Sequence, residues 1–472
     1  MKKTLSILLV AFLSVQLSAQ SISLDKQLGE EGAAQIEQQI GLYEHGSTSE
    51  YIDQIGHRLL AELTENPYTF EFHIVNMAEP NAFALPGGHI YVSRGLLPLV
   101  NNEDELACVM GHEIIHVMER HSVARMKKGI LPAILQLPGQ LIGGSVGGAI
   151  NAPISFFSDL GLANYSRGQE KDADRIGVRI SAGAGYDPTT LAEILSRMTQ
   201  EVELLTGQTE KKSYLSDHPF TPKRVEYLNK LTSDLKQQPK PNIVEGRDVL
   251  HKLDGLLYGP DPAQGVFNDS LFLHPDLGLS IVFPGGWITA NNPIAVGAMQ
   301  ADGEAVIAMT LESPGVSADS AATTIKAHLN KDSVHFDEKA DLDINGYKAR
   351  SITITQEQDG EKVTHNITWI EKDTTIYRLV GAALEQHVAV VDSTTNSFRR
   401  ISEVERGRVF QNNIRIIEAK EGETLEALST RSQNTWSVEL TAIFNGMEEA
   451  VVLKEGELIK VAVKTNYSSK KN

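Results

Sequence analysis

Two histidines four residues apart, with a glutamate directly after the first, stand in the stretch "CVMGHEIIHVMERH", Cys108 to His121. On an α-helix, residues at that spacing share a face, so His112 and His116 can hold one metal ion. Two imidazoles suit zinc, and a catalytic zinc takes a third protein ligand and keeps one position open for water. Glu113 is turned by about 100° from His112 around the helix. It can therefore reach an activated water without being a ligand, as a general base must. The chemistry implied is zinc-dependent hydrolysis of peptide bonds.

The third ligand has to come from elsewhere. His121 lies nine residues after His112, about half a turn away on a continuous helix. On that geometry it is a surface residue or one that stands behind a ligand. Cys108 shares a face with His112 and reads as a buried packing cysteine. The pattern H-E-x-x-H-x-x-G-x-x-H needs glycine at position 119 and histidine at 122; Glu119 and Ser122 stand there and exclude it. A second stretch, "SRGQEKDADRIG" (Ser166 to Gly177), offers Glu170 and Asp174 on one helix face. Glu170 can bind zinc while Asp174 accepts a hydrogen bond from the far nitrogen of a ligand histidine. Alone, "EKDAD" would be a solvated charged helix; beside the two histidines it completes a metal site.

The elements that must position these residues follow from period and caps. "LDKQLGEEGAAQIEQQIGLY" and "YIDQIGHRLLAELT" have helical periodicity, and "YTFEFHIVNM" alternates like a strand. Asn102 and Glu105 form an N-x-x-E capping box, opening a helix expected to run through Lys127 and Lys128. Ser166 and Gln169 cap the helix that carries Glu170 and Asp174, which should end near Gly183 or Gly185. Asp187-Pro188 and Thr221-Pro222 start two more. Residues 129–158 carry no charge and are rich in Gly and Pro, which suggests a loop over a cleft, or a surface touching lipid or a partner.

The chain has 472 residues, enough for two to four domains, and 41% hydrophobic residues, enough for packed cores. A formal charge of -18 argues against nucleic acid as a partner. Lys2 and Lys3, the apolar run "TLSILLVAFLSVQL" and small Ser18 and Ala19 read as a signal peptide over 1–20. Cleavage is expected near Ala19 or Gln20, which places the protein in the periplasm or otherwise outside the cytoplasm. Cys108 is the only cysteine, so no internal disulfide forms and no lipid-bearing cysteine follows the signal.

Over residues 25 to 240 the chain resembles the gluzincin family of HtpX, CAAX prenyl protease and BepA-like metallopeptidases (peptidase family M48). The motifs are "HEIIH", the E-x-x-x-D of Glu170 to Asp174, "NAFALPGG" from Asn81, and "DHPFTPKR" from Asp217, in that order. The resemblance implies zinc on His112, His116 and Glu170, with Glu113 as base. It also implies that His218 lies at the active site, stabilising the oxyanion or filling the open zinc position at rest. Arg224 would be a nearby structural or substrate-binding cation. Asn81, Ala82, Phe83 and Ala84 would form an edge strand with which an extended substrate pairs. The chain departs from the family's membrane members in lacking convincing spans between the zinc motifs. It departs from BepA-like members in lacking a helical repeat array.

From "KQQPKPN" near residue 240 the composition shifts. The expected organisation is a protease domain over 21–245, a linker over 246–264, and a strand-rich domain over 265–405. "LFLHPDLGLSIVFPGGW" in the latter resembles the start of a PsbP-like α/β sandwich. A βααβ module over 410–464 resembles LysM, with Gly422-Glu423-Thr424 near its start, and implies peptidoglycan as a possible partner; 465–472 reads as a disordered tail. The fold class is α+β. The function expected is a zinc endopeptidase of the bacterial cell envelope acting on protein or peptide substrates, in envelope protein quality control. Alternatives are a periplasmic chaperone or binding protein with a latent protease site, or a cell-wall-associated adaptor.

Overall fold

A computed structural model describes residues 2–125, 165–206, 218, 222–233, 235, 247–331, 334–358 and 361–469. The expected loop at 129–158 and Asp217, Pro219, Phe220 and Thr221 of "DHPFTPKR" lie outside them. The chain forms two compact units. The first takes in Met1–Leu131, Leu162–Gly259 and Gln411–Thr465, the second Pro260–Phe410 and the C-terminal residues. The architecture mixes helices with several small sheets, as an α+β chain should.

Unit one opens with helix α1 (Lys2–Gln39), which runs unbroken through the expected signal segment. Its Ala33 and Ile36 pack against Val75, Phe83, Leu85 and Tyr91. Helix α2 (Gly46–Leu60) follows, then strands β1 (Glu71–Val75), β2 (Ala82–Ala84) and β3 (His89–Ser93). The sheet order is β1-β3-β2, with β3 parallel to β1 and antiparallel to β2, so β2 is an edge. Helix α3 (Glu103–Met118) starts at Asn102, whose side chain accepts from the Glu105 N–H.

α3 does not run on to Lys128. It ends at Met118, and α4 (His121–Arg125) begins after a turn in which Arg120 takes a left-handed φ of 56°. The Arg120 guanidinium grips buried Asp25 of α1 at 2.7 and 2.8 Å, and Tyr68 donates to the same carboxylate. That clamp holds a conformation few side chains adopt unaided.

Helix α5 (Arg167–Gly183) opens with both halves of the Ser166–Gln169 capping box formed. Helices α6 (Thr190–Thr206) and α7 (Pro222–Thr232) complete the layer around α3. The expected linker at 246–264 is structured through most of its length. Helix Arg247–Leu253 buries Val249 and Leu253, and strand Leu257–Tyr258 pairs with Phe410–Glu418. The apolar spacing of Val249, Leu253 and Leu256 outweighs the Pro-rich approach.

Strand Phe410–Glu418, helices Leu425–Ser432 and Val438–Asn445, and strand Leu458–Asn466 follow in the βααβ order. This module is not separate from the protease region. Trp436, Leu440 and Phe444 join the main core of unit one, and fully buried Lys460 donates through Nζ to the Val100 carbonyl at 2.5 Å. In unit two a seven-stranded antiparallel sheet and a four-stranded sheet enclose one apolar layer. Helix Ala318–Lys331 covers the other face of the larger sheet. The expected tail is partly fixed, since the Tyr467 N–H donates to Val409 O and its hydroxyl to Asp276.

Candidate metal centre

The site forms where α3 crosses α5, and two glycines set how close they come. A Cβ added at Gly177 would lie 3.0 Å from His112 N and 3.1 Å from the Gly111 carbonyl carbon. One at Gly111 would lie 2.8 Å from Ser181 Oγ and 3.2 Å from Gly177 O. Hydrogen in place of methyl lets the backbones touch. Glu170 and Asp174 lie on α5 before Gly177, and His112 follows Gly111 directly, so the crossing brings carboxylates to imidazoles.

His112 Nε2 lies 3.0 Å from His116 Nε2 and 3.1 Å from His218 Nδ1. The Glu170 carboxylate is 3.4 Å from His116 Nε2, 3.7 Å from His112 Nε2 and 2.9 Å from His218 Nδ1. Donor atoms of all four residues fall within 4.8 Å of one another, and all four side chains are buried. A tetrahedral ion with nitrogen and oxygen ligands at about 2.0–2.1 Å sets its donors roughly 3.3 Å apart. The observed separations match, and the donor set of three imidazoles and one carboxylate suits zinc. The residues present therefore fit the ion.

The supporting residues hold this set in place. His112 Nδ1 is 3.0 Å from Asp174 Oδ1. Arg224 of α7 grips Asp174 with Nε and a terminal nitrogen at 3.0 and 2.8 Å, meets Glu170 Oε2 at 2.9 Å, and donates to His218 O. Burial opposes charge on Asp174, but Arg224 and His112 outweigh it and hold its pKa below the usual value. Burial likewise opposes charge on Glu170; the imidazoles of His218, His116 and His112 reverse the balance and hold it ionised. Burial pushes His116 well below its ordinary value and His218 down to about 4, so both are neutral and able to donate lone pairs. Glu113 is buried, with Oε1 3.4 Å from His218 Nε2.

Glu113 thus sits beside the cluster without joining it, and Arg224 binds the acidic pair. Asn81, Ala82, Phe83 and Ala84 lie in or next to the edge strand β2, yet they are buried. The Ala84 carbonyl accepts from Ser122 Oγ at 3.1 Å, and that hydroxyl also meets Tyr165 Oη at 3.2 Å. Cys108 is fully buried, with Sγ against Asp187 O, and burial pushes its thiol up to about 12.

Two residues at the site, Tyr165 and Ser122, escaped the sequence reading. Tyr165, directly before the α5 cap, stacks on the His116 ring at 3.7 Å. Ser122 covers the edge strand. His121 is buried, with Nδ1 3.1 Å from His116 Nδ1. Helix geometry leaves His121 at the surface or behind a ligand, and the structure shows the second, through a turn that no Gly or Pro marks.

The profile of peptidase family M48 matches residues 47–232. A beta-barrel assembly-enhancing protease of Yersinia pestis is 28% identical over 222 residues, covering 45% of this chain and 44% of that protein. A putative beta-barrel assembly-enhancing protease of Vibrio cholerae is 36% identical over 185 residues, covering 38% and 37%. The mitochondrial metalloendopeptidase OMA1 of Schizosaccharomyces pombe is 28% identical over 218 residues, covering 43% and 60%. The chain thus spans about half the length of the curated relatives it matches. Among solved structures, the match to cyanobacterial PsbP from Synechocystis sp. PCC 6803 covers 29% of this chain and 95% of that one at 12% identity, with a TM-score of 0.22. Residues 47–232, which match the profile of peptidase family M48, hold the whole histidine–carboxylate cluster.

Proposed function

We propose that the chain is a zinc-dependent endopeptidase of the bacterial cell envelope that cleaves protein substrates in envelope quality control. The observation that carries this is the convergence of His112, His116 and Glu170 with Glu113 buried alongside. His112, His116 and Glu170 would hold zinc, which when bound supplies Lewis-acid activation of water and of the scissile carbonyl. Glu113 takes the proton from the attacking water and passes it to the leaving amine. Asp174 orients His112 through Nδ1, and Arg224 keeps Asp174 charged and holds both acidic residues in place. Strand β2, with Asn81 to Ala84, would pair with an extended substrate once Ser122 leaves the Ala84 carbonyl.

A latent resting form is favoured by a specific arrangement. His218 supplies a fourth donor, where a catalytic site keeps an opening for water. The envelope location rests on the apolar N-terminal run, read as a cleaved signal, and on relatives named for β-barrel assembly. Among the described residues no helix is long and apolar enough to cross a membrane. Peptidoglycan is the proposed partner of the C-terminal module, and residues 129–158 the proposed point of peripheral membrane contact.

The test is casein cleavage by the mature chain and by His218→Ala, with zinc content measured on both. His218→Ala should cleave faster and still hold one zinc. If neither form cleaves, the endopeptidase reading fails; if the two cleave equally, the latent form does.

A further inference from the structure

We propose that His121 is a positioning residue of the metal centre, fixing the tautomer and ring orientation of His116; this rests on the zinc reading above. His121 Nδ1 faces His116 Nδ1 at 3.1 Å. Two ring nitrogens that close share one proton, and one ring donates while the other accepts. His116 Nε2 points the other way, 3.0 Å from His112 Nε2 and 3.4 Å from Glu170. For that nitrogen to offer its lone pair to zinc, the proton of neutral His116 must stand on Nδ1. His121 Nδ1 is then the acceptor, and its own proton sits on Nε2. His121 does for His116 what Asp174 does for His112, but with an uncharged acceptor in place of a carboxylate.

The backbone is built to deliver this contact. On a continuous helix a residue five beyond His116 would be turned about 140° away from it. The turn at Glu119 and Arg120 brings it back, and the Arg120–Asp25 clamp holds that turn. Tyr165 stacks on the same His116 ring, so the imidazole is fixed edge-on by His121 and face-on by Tyr165.

The experiment measures zinc affinity of the full chain by competition with a chromophoric chelator, for wild type, His121→Leu and His121→Asn. Leucine fills the ring's volume without an acceptor. The Asn Oδ1 stands near the place of Nδ1 and can accept. His121→Leu should lose about tenfold or more in affinity, within the range seen for outer partners of metal-bound histidines. His121→Asn should stay within about threefold of wild type. Equal affinity in wild type and His121→Leu overturns the proposal, and so does an equal loss in both variants. Absence of zinc binding by wild type instead removes the zinc reading itself.

Discussion

The crossing of α3 and α5 makes Gly177→Ala a sharp test of how the site is positioned. In a free helix this change stabilises by about 1 kcal/mol. Here the new methyl would meet His112 N at 3.0 Å and Gly111 C at 3.1 Å, both backbone atoms that cannot turn aside. Ordinary carbon contacts need about 3.5 Å or more, so the helices must part by roughly half an ångström. Overpacking of that kind costs about 1–3 kcal/mol, enough to cancel the helix gain and leave a net loss. Metal sites tolerate donor shifts of only about 0.2 Å, so zinc affinity should fall about tenfold, with Glu170 drawn away from His112 and His116. Gly183→Ala on the same helix is the control, because its methyl would meet the flexible end of Glu62. Chelator competition and urea denaturation read the two effects. A Gly177→Ala protein as stable and as zinc-avid as wild type would refute the close-crossing argument.

Two further predictions concern other parts of the fold. His365 is fully buried on strand Glu361–Lys372, on the face shared with Ile367 and Trp369, and burial pushes its pKa down to about 4. Protonation therefore favours the unfolded chain: stability is full above pH 6.5 and is lost as pH falls towards 4. The loss has a ceiling of about 3 kcal/mol. His365→Leu should flatten the denaturation midpoint of unit two between those pH values, and an unchanged pH profile would show that His365 does not titrate there. Lys460→Met removes the amine nitrogen that donates to Val100 O while keeping the stem. It should destabilise unit one by about 1–3 kcal/mol; an unchanged unfolding midpoint would mean the C-terminal module adds nothing to the protease fold.

Local signals made the chemistry legible. The spacing of His112 and His116, the cap at Asn102 and the Ser166–Gln169 box all act within one or two helical turns; the Ser166–Gln169 box forms in full, while at Asn102 the side chain caps the Glu105 N–H and Glu105 reaches back to the Asn101 N–H instead. The features that escaped depend on distant partners. Asp25 lies 95 residues from the Arg120 turn it clamps, and no local residue type announces that turn. Without that turn, helix geometry leaves His121 either at the surface or behind a ligand. Tyr165 reaches His116 only through the packing of α5 on α3. The helix Arg247–Leu253 was hidden by the Pro-rich run before it. Lys460 reads as an ordinary surface lysine until the Val100 carbonyl, 360 residues earlier, accepts its hydrogen bond.

The central claim is that Glu113 works as the base of a zinc peptidase site. The most direct measurement is casein cleavage by wild type and Glu113→Gln, each assayed for zinc. The account predicts about one zinc per chain in both proteins and cleavage by wild type alone. Cleavage by Glu113→Gln at the wild-type rate would contradict it.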